Sequence, residues 1–228
     1  ISSSKNLGFL TFSPTFRYDE YTAFNQIEKQ LLYDSEGLIT EEVDTLGGFY
    51  GNRDWSASLS LNTRFYGMFT FKDKRKIKAI RHVLTPTLSA SYTPERSRIR
   101  SLELDTISTS WNPWEVNRFT PNDVRESGAI NFTLNQNLEA KVRDRKTDEV
   151  KKVKIIESIT TSTGYNFLAD SLNLTDITTT GFTSLFNKVN LNFNATQSAY
   201  GRDSSGLEIN EFLFQQGNGL MRLKRATA

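Results

Sequence analysis

The chain has 228 residues, a formal net charge of +2 from 28 basic and 26 acidic side chains, and no cysteine. This length predicts one β-domain of ordinary size over residues 1–228. The balance of charge gives no global field for a nucleic acid, and the missing thiols exclude disulfides and thiolate metal ligands.

No stretch approaches the ~20 apolar residues of a spanning helix, and Ile1-Ser2-Ser3-Ser4-Lys5 lacks the apolar core of a signal peptide. A helical membrane protein is excluded. A transmembrane barrel is not, because its strands need only about 9 to 11 residues with alternate side chains facing lipid. A mean hydropathy of -0.48 is compatible with that.

In chain order, the first predicted strand sets Leu10, Phe12, Pro14, Phe16 and Tyr18 against Thr11, Ser13, Thr15 and Arg17. The second sets Trp55, Ala57, Leu59, Leu61 and Phe65 against Ser56, Ser58, Ser60, Asn62 and Arg64. The third sets Leu84, Pro86, Leu88, Ala90 and Tyr92 against Thr85, Thr87, Ser89 and Ser91. The fourth has Ile130, Phe132, Leu134, Leu138, Ala140 and Val142 on one parity, with Asn131, Thr133, Asn135, Asn137, Glu139, Lys141 and Arg143 on the other. Such period-two alternation predicts strands with one greasy and one wet face.

Ile159 to Phe167 and Ile177 to Leu185 alternate more weakly, with Thr in many slots. Val189, Leu191, Phe193 and Ala195 against Asn190, Asn192, Asn194 and Thr196 form another clean strand, and Gly219 to Ala228 predicts an eighth.

Soluble sandwiches alternate too. Two features favour a barrel. Tyr18, Trp55, Tyr66, Tyr92, Tyr165 and Tyr200 fall near strand ends, as girdle residues do. The connections also alternate in character, with long polar excursions over about 19–53, 93–127 and 201–218 and shorter basic turns at Lys72–Lys78 and Arg143–Lys152. Long outer loops and short periplasmic turns are the pattern of outer-membrane barrels. The polar parity then predicts a wet lumen holding Arg64, Asn131, Asn135, Glu139, Lys141, Arg143, Asn190, Asn192 and Asn194.

Catalytic chemistry is not indicated. His82 is the single histidine, no Gly-x-Ser-x-Gly elbow occurs, and neither EF-hand spacing nor a phosphate-binding glycine loop is present. No cofactor or resident metal is implied, and the basic turns read as solvated hairpin tips rather than a nucleic-acid surface.

The run Arg81-His82-Val83-Leu84-Thr85-Pro86-Thr87-Leu88-Ser89-Ala90-Ser91-Tyr92-Thr93-Pro94 resembles the barrel signature of the LptD family, at Arg81, His82, Pro86, Tyr92 and Pro94. The resemblance continues through Gly128 to Arg143, Ile155 to Leu172 and Thr183 to Tyr200, in the flavour found in Bacteroidetes-like bacteria. It implies an antiparallel up-and-down outer-membrane β-barrel that inserts lipopolysaccharide into the outer leaflet through its lumen and a lateral gate. It also implies an LptE-like lipoprotein plug and a periplasmic Lpt bridge, met through a domain that this chain lacks. The family barrel is much larger, so about eight strands here predict a fragment of it. The mid-strand prolines Pro14 and Pro86 are not assigned to the gate, and His82 is read as structural. Two alternatives stand beside this: another outer-membrane transporter, or a soluble β-sandwich acting as an adhesion or carbohydrate-binding module.

Overall fold

Alternating sequences of this kind build strands, and the computed structural model, described over residues 1–72, 76–143, 149–185 and 189–228, contains them in number. In chain order they are β1 (Lys5–Leu7), β2 (Leu10–Tyr33), β3 (Ile39–Thr63), β4 (Phe65–Thr70), β5 (Ile77–Thr93), β6 (Arg100–Leu104) and β7 (Ile107–Trp111). There follow β8 (Ser127–Arg143), β9 (Val150–Asn166), β10 (Ile177–Leu185), β11 (Val189–Ser198), β12 (Tyr200–Arg202), β13 (Glu208–Phe212) and β14 (Arg222–Thr227). The chain divides into two compact units, one built from Phe16–Ala57 and Tyr92–Ser127 together with Ile1, the other from Ser2–Thr15, Ser58–Ser91 and Gly128–Ala228.

The larger unit carries a ten-stranded sheet in the order β1-β2-β3-β5-β8-β9-β10-β11-β14, with β4 pairing β5 off this path. The pairings β1–β2, β4–β5, β8–β9, β9–β10 and β10–β11 are antiparallel, as short connections between neighbours favour, and β11–β14 is antiparallel across the long 201–218 excursion. The strands expected around Ile130–Arg143, Ile177–Leu185 and Val189–Ala199 are β8, β10 and β11. The sheet has ten strands rather than about eight, because β1 has too few residues to show a period and β4, with Phe65, Tyr66, Met68 and Phe69, is apolar on both parities.

Residues directly opposite each other in a ladder share a face. Ile130, Phe132 and Leu134 of β8 stand opposite Tyr165, Thr163 and Thr161 of β9. Phe193, Leu191 and Val189 of β11 stand opposite Gly181, Thr183 and Leu185 of β10. The apolar face is open: Phe132 is 39% exposed, Leu191 46% and Leu223 58%. Among the described residues, no second sheet packs on it, since the remaining strands form only the two-stranded ribbons β6-β7 and β12-β13. A soluble sandwich would bury such a face in a core between two sheets.

Glycine has a packing role in this sheet, most plainly at Gly181. A Cβ at Gly181 would lie 1.9 Å from the Phe193 ring directly opposite, so the ring occupies the space that a side chain would fill. On β9 the register shifts twice. Gln136 and Leu138 oppose Ile159 and Ile156, and Glu139 then opposes Lys154, so β9 holds two surplus residues in two separate bulges.

The smaller unit is built on a long β2–β3 hairpin. The excursion expected over 19–53 is strand on both sides of a tight turn at 34–38, because hydrogen-bonded pairing continues where the clean alternation ends. Asp34 Oδ1 accepts from the backbone N–H of Glu36 (2.8 Å) and Leu38 (2.9 Å), and Gly37 takes φ 75°. Asp203-Ser204-Ser205-Gly206-Leu207 repeats this turn in the larger unit with Asp203 Oδ1 and Gly206 at φ 84°.

The smaller unit has a core of its own. Trp111 and Trp114 are buried, and Trp111 donates its indole N–H to the Ile27 carbonyl at 3.2 Å. Arg98, also buried, pairs with Asp54, and its backbone N–H donates to Asp123 Oδ1 at 2.6 Å. The Trp111-Asn112-Pro113-Trp114 run is therefore packing, as a double tryptophan in a connection commonly is. The excursion over 93–127 contains the β6–β7 ribbon, and that over 201–218 contains most of the β12–β13 ribbon, where Tyr200 stacks on Phe212 at 4.8 Å between ring centres.

Candidate functional site

The polar face of the larger unit is built by register. Asn135 of β8 opposes Thr160 of β9, which opposes Thr180 of β10, which opposes Asn194 of β11. One row of amides and hydroxyls thus crosses four strands. Asn131 opposes Gly164, while Asn192 and Asn190 oppose Phe182 and Ser184. Thr160 Oγ1 donates to Asn135 Oδ1 at 2.7 Å, which ties the β8 and β9 members of the row together. Such groups exchange hydrogen bonds with water or with any hydroxylated ligand equally well.

Charge is concentrated beside this row. Arg81 of β5 reaches Glu139 of β8, Nη2 to Oε2, at 2.6 Å. In the β8–β9 ladder Glu139 opposes Lys154, and Lys141 opposes Lys152. A cavity of about 390 Å³ is lined by Arg64, Tyr66, Arg81, Asn135, Asn137 and Glu157 among others. A smaller one of about 150 Å³ is lined by Met68, Arg81, Glu139, Lys141 and Lys152. A third, of about 440 Å³, takes Thr180, Phe182, Asn192 and Asn194 from the far strands.

Of the predicted polar residues, the structure brings Arg64 and Asn135 to one cavity, Glu139 and Lys141 to a second, and Asn192 and Asn194 to a third. Asn131, Asn190 and Arg143 hold in-phase positions on the same strands, with Arg143 opposite Val150 at the end of the β8–β9 ladder. The sequence reading did not find Lys152, which it left in a basic turn, nor Phe182, whose place among asparagines only the register reveals. The middle of each basic turn, at 73–75 and 144–148, lies outside the described residues.

The signature residues separate. Arg81 stands opposite Met68, His82 opposite Gly67, and Pro86 lies further along β5 on the parity of His82. Tyr92 and Pro94 belong to the smaller unit. There the Tyr92 hydroxyl donates to Glu126 Oε1 at 2.7 Å, and its ring lies 5.9 Å from that of Trp55. Pro94 lines a cavity of about 260 Å³ with Arg17, Asp19, Asp54, Trp55 and Arg96. Among the described residues, no cluster of side chains has the makeup of a metal site.

Neither a curated protein nor a solved structure gives a match to the chain. The family comparison does: residues 1–200 match the model of the LptD protein. The chain accordingly belongs to the LptD family, a family of outer-membrane β-barrels that act in lipopolysaccharide transport.

Proposed function

We propose that residues 1–228 form part of one outer-membrane barrel domain that passes lipopolysaccharide into the outer leaflet through its lumen and a lateral gate. The observation that carries this reading is the two-faced sheet of the larger unit. Its open apolar face, with Phe132, Leu191, Phe193 and Leu223, suits hydrocarbon, and its row of asparagine, threonine and charged residues suits a wet lumen. The saccharide and phosphate groups of the cargo then travel along the polar face while the acyl chains leave sideways.

The lengths of β2 and β3, 24 and 25 residues, support the placement of the hairpin outside the bilayer. A tilted strand crosses in about 9 to 11 residues. The remainder, about 19–53, stands in water. An LptE-like lipoprotein plug inside the barrel and a periplasmic Lpt bridge complete the proposed assembly. A nutrient transporter offers no comparable account of the family match.

Depletion of the full-length protein from living cells tests the proposal. The expected result is loss of newly made lipopolysaccharide from the cell surface, with its accumulation inward of the outer membrane. Normal surface delivery under full depletion would sink it.

A further inference from the structure

We infer that Arg81, Lys141 and Lys152 form a phosphoryl-binding site, and that its ligand is a phosphosugar whose ring occupies the adjoining cavity. The inference rests on the proposed lumen reading of the polar face and names the chemical group that this part of the face receives.

Its starting point is an arrangement that sheets avoid. Lys141 and Lys152 stand directly opposite one another in the β8–β9 ladder, and like charges in that relation destabilise a pair of strands. Among the described residues, neither lysine has a carboxylate partner, whereas Lys154, two residues away, lies 3.7 Å from Glu157. A like-charged pair set directly opposite in a ladder points to an anion between the two side chains.

The surroundings specify the anion. Both lysines line the 150 Å³ cavity with Arg81 and Glu139, so three cations face one carboxylate. A phosphate monoester carries about -1.5 to -2 charges at neutral pH, which matches that excess. Arg81 spends Nη2 on Glu139 and is 46% exposed, so its planar fork retains N–H donors for a second oxyanion. A cavity of this size holds a phosphoryl group but little more.

Arg81 also lines the larger cavity of about 390 Å³, beside Tyr66, Asn135, Asn137 and Arg64. Carboxamides present donors and acceptors together, as sugar hydroxyls do, and the Tyr66 ring adds a flat apolar surface. The shared arginine thus joins a phosphate-sized site to a sugar-sized one.

The test uses the full-length protein in detergent at fixed ionic strength. Its thermal midpoint is measured with glucosamine 1-phosphate, inorganic phosphate, glucosamine, or sodium chloride alone. A ligand that binds only the folded state raises the midpoint. The expected order is glucosamine 1-phosphate above inorganic phosphate, with glucosamine and salt giving no shift. The variant combining Lys141→Gln and Lys152→Gln should start from a higher midpoint without ligand and lose the phosphate-dependent shift. Lys152→Gln alone carries the same test if the double variant does not fold.

Equal shifts with phosphate and glucosamine 1-phosphate would overturn the sugar half of the inference and leave an inorganic phosphate site. Absence of any phosphate-dependent shift, or an unchanged shift in the variants, would overturn the site. Surface delivery of lipopolysaccharide, measured in the same variants, separates the two ideas. Loss of the shift with normal delivery removes the phosphosugar from the transport path, and failure of delivery on depletion still supports the transport reading by itself.

Discussion

The Arg81 guanidinium and the Glu139 carboxylate meet at 2.6 Å, and their contact joins β5 to β8 across the polar face. Both groups are partly exposed, so the pair holds position more than it adds stability. Arg81→Gln should cost about 0.2–1 kcal/mol by urea titration, since exposed ion pairs rarely exceed that range. Lys154, opposite Glu139 in the ladder, limits the loss. Exchanging the two residues, Arg81→Glu with Glu139→Arg, should recover most of it.

Adjacent residues on β8 should respond in opposite ways to the same substitution. Leu134 belongs to the apolar face and Asn135 to the polar one. If the apolar face meets lipid, Leu134→Arg should lower folding stability in lipid vesicles by about 2–4 kcal/mol. Asn135→Arg sacrifices the hydrogen bond from Thr160 and should cost only about 1 kcal/mol. Similar losses at both positions would contradict a lipid-facing sheet.

Gly181 and Phe193 should behave as one packing unit. Gly181→Ala drives a methyl group into the space of the Phe193 ring and should cost about 1–3 kcal/mol, the usual range for overpacking. Phe193→Leu should remove much of that penalty, so a double-mutant cycle should show clear coupling.

The tryptophan core of the smaller unit predicts a local effect. Trp111→Ala removes a buried ring and its hydrogen bond to the Ile27 carbonyl, at a cost of about 3–5 kcal/mol. Hydrogen exchange should rise across Asn25–Lys29 and 111–121, where Trp111, Asn112 and Asn117 make their bonds, while β9–β11 keep their protection.

A pH dependence follows at Glu41 in the same hairpin. Hydrogen bonds from Lys29, at 2.7 Å, and from Thr109 Oγ1, at 2.7 Å, hold its carboxyl below the ordinary glutamate value. With the folded value depressed, this contribution is complete above the unfolded value and disappears as pH falls through the folded one. Protease resistance of the hairpin should therefore weaken in acid below the ordinary glutamate range. Glu41→Gln should flatten that part of the profile.

The strands β8 and β11 were legible because an alternating sequence with one wet face leaves little choice of register, whereas β10, with threonine on both parities, gave a weaker signal. The β2–β3 hairpin was not legible, since beyond Tyr18 polar and apolar residues mix on both parities while backbone pairing continues. Its turn did leave a signal in the repeated Asp-Ser-x-Gly-Leu of 34–38 and 203–207, where an aspartate closes the turn and a glycine accepts positive φ. Arg64 and Asn135 could be placed on a polar parity, but their meeting at one cavity depends on which strands are neighbours. Lys152 was hidden for a simpler reason: a basic run looks like a turn until pairing shows where the turn ends.

The two bulges of β9 give the strand tolerance to changes in length. A surplus residue in a bulge has no opposite number in that ladder, so removing it leaves the ladder's own pairing on either side unchanged. Deleting Ile155 would set Ile156 and Lys154 next to each other against Leu138 and Glu139, each still meeting its present partner on β8, at the cost of the hydrogen bond that the Ile155 carbonyl accepts from Thr183 Oγ1 of β10. A strand of this kind absorbs insertions and deletions while every lysine stays on the side where it began. Parity counted along the bare sequence misplaces Ile156, which lies between the two bulges, and Glu157, which lines the polar-face cavity.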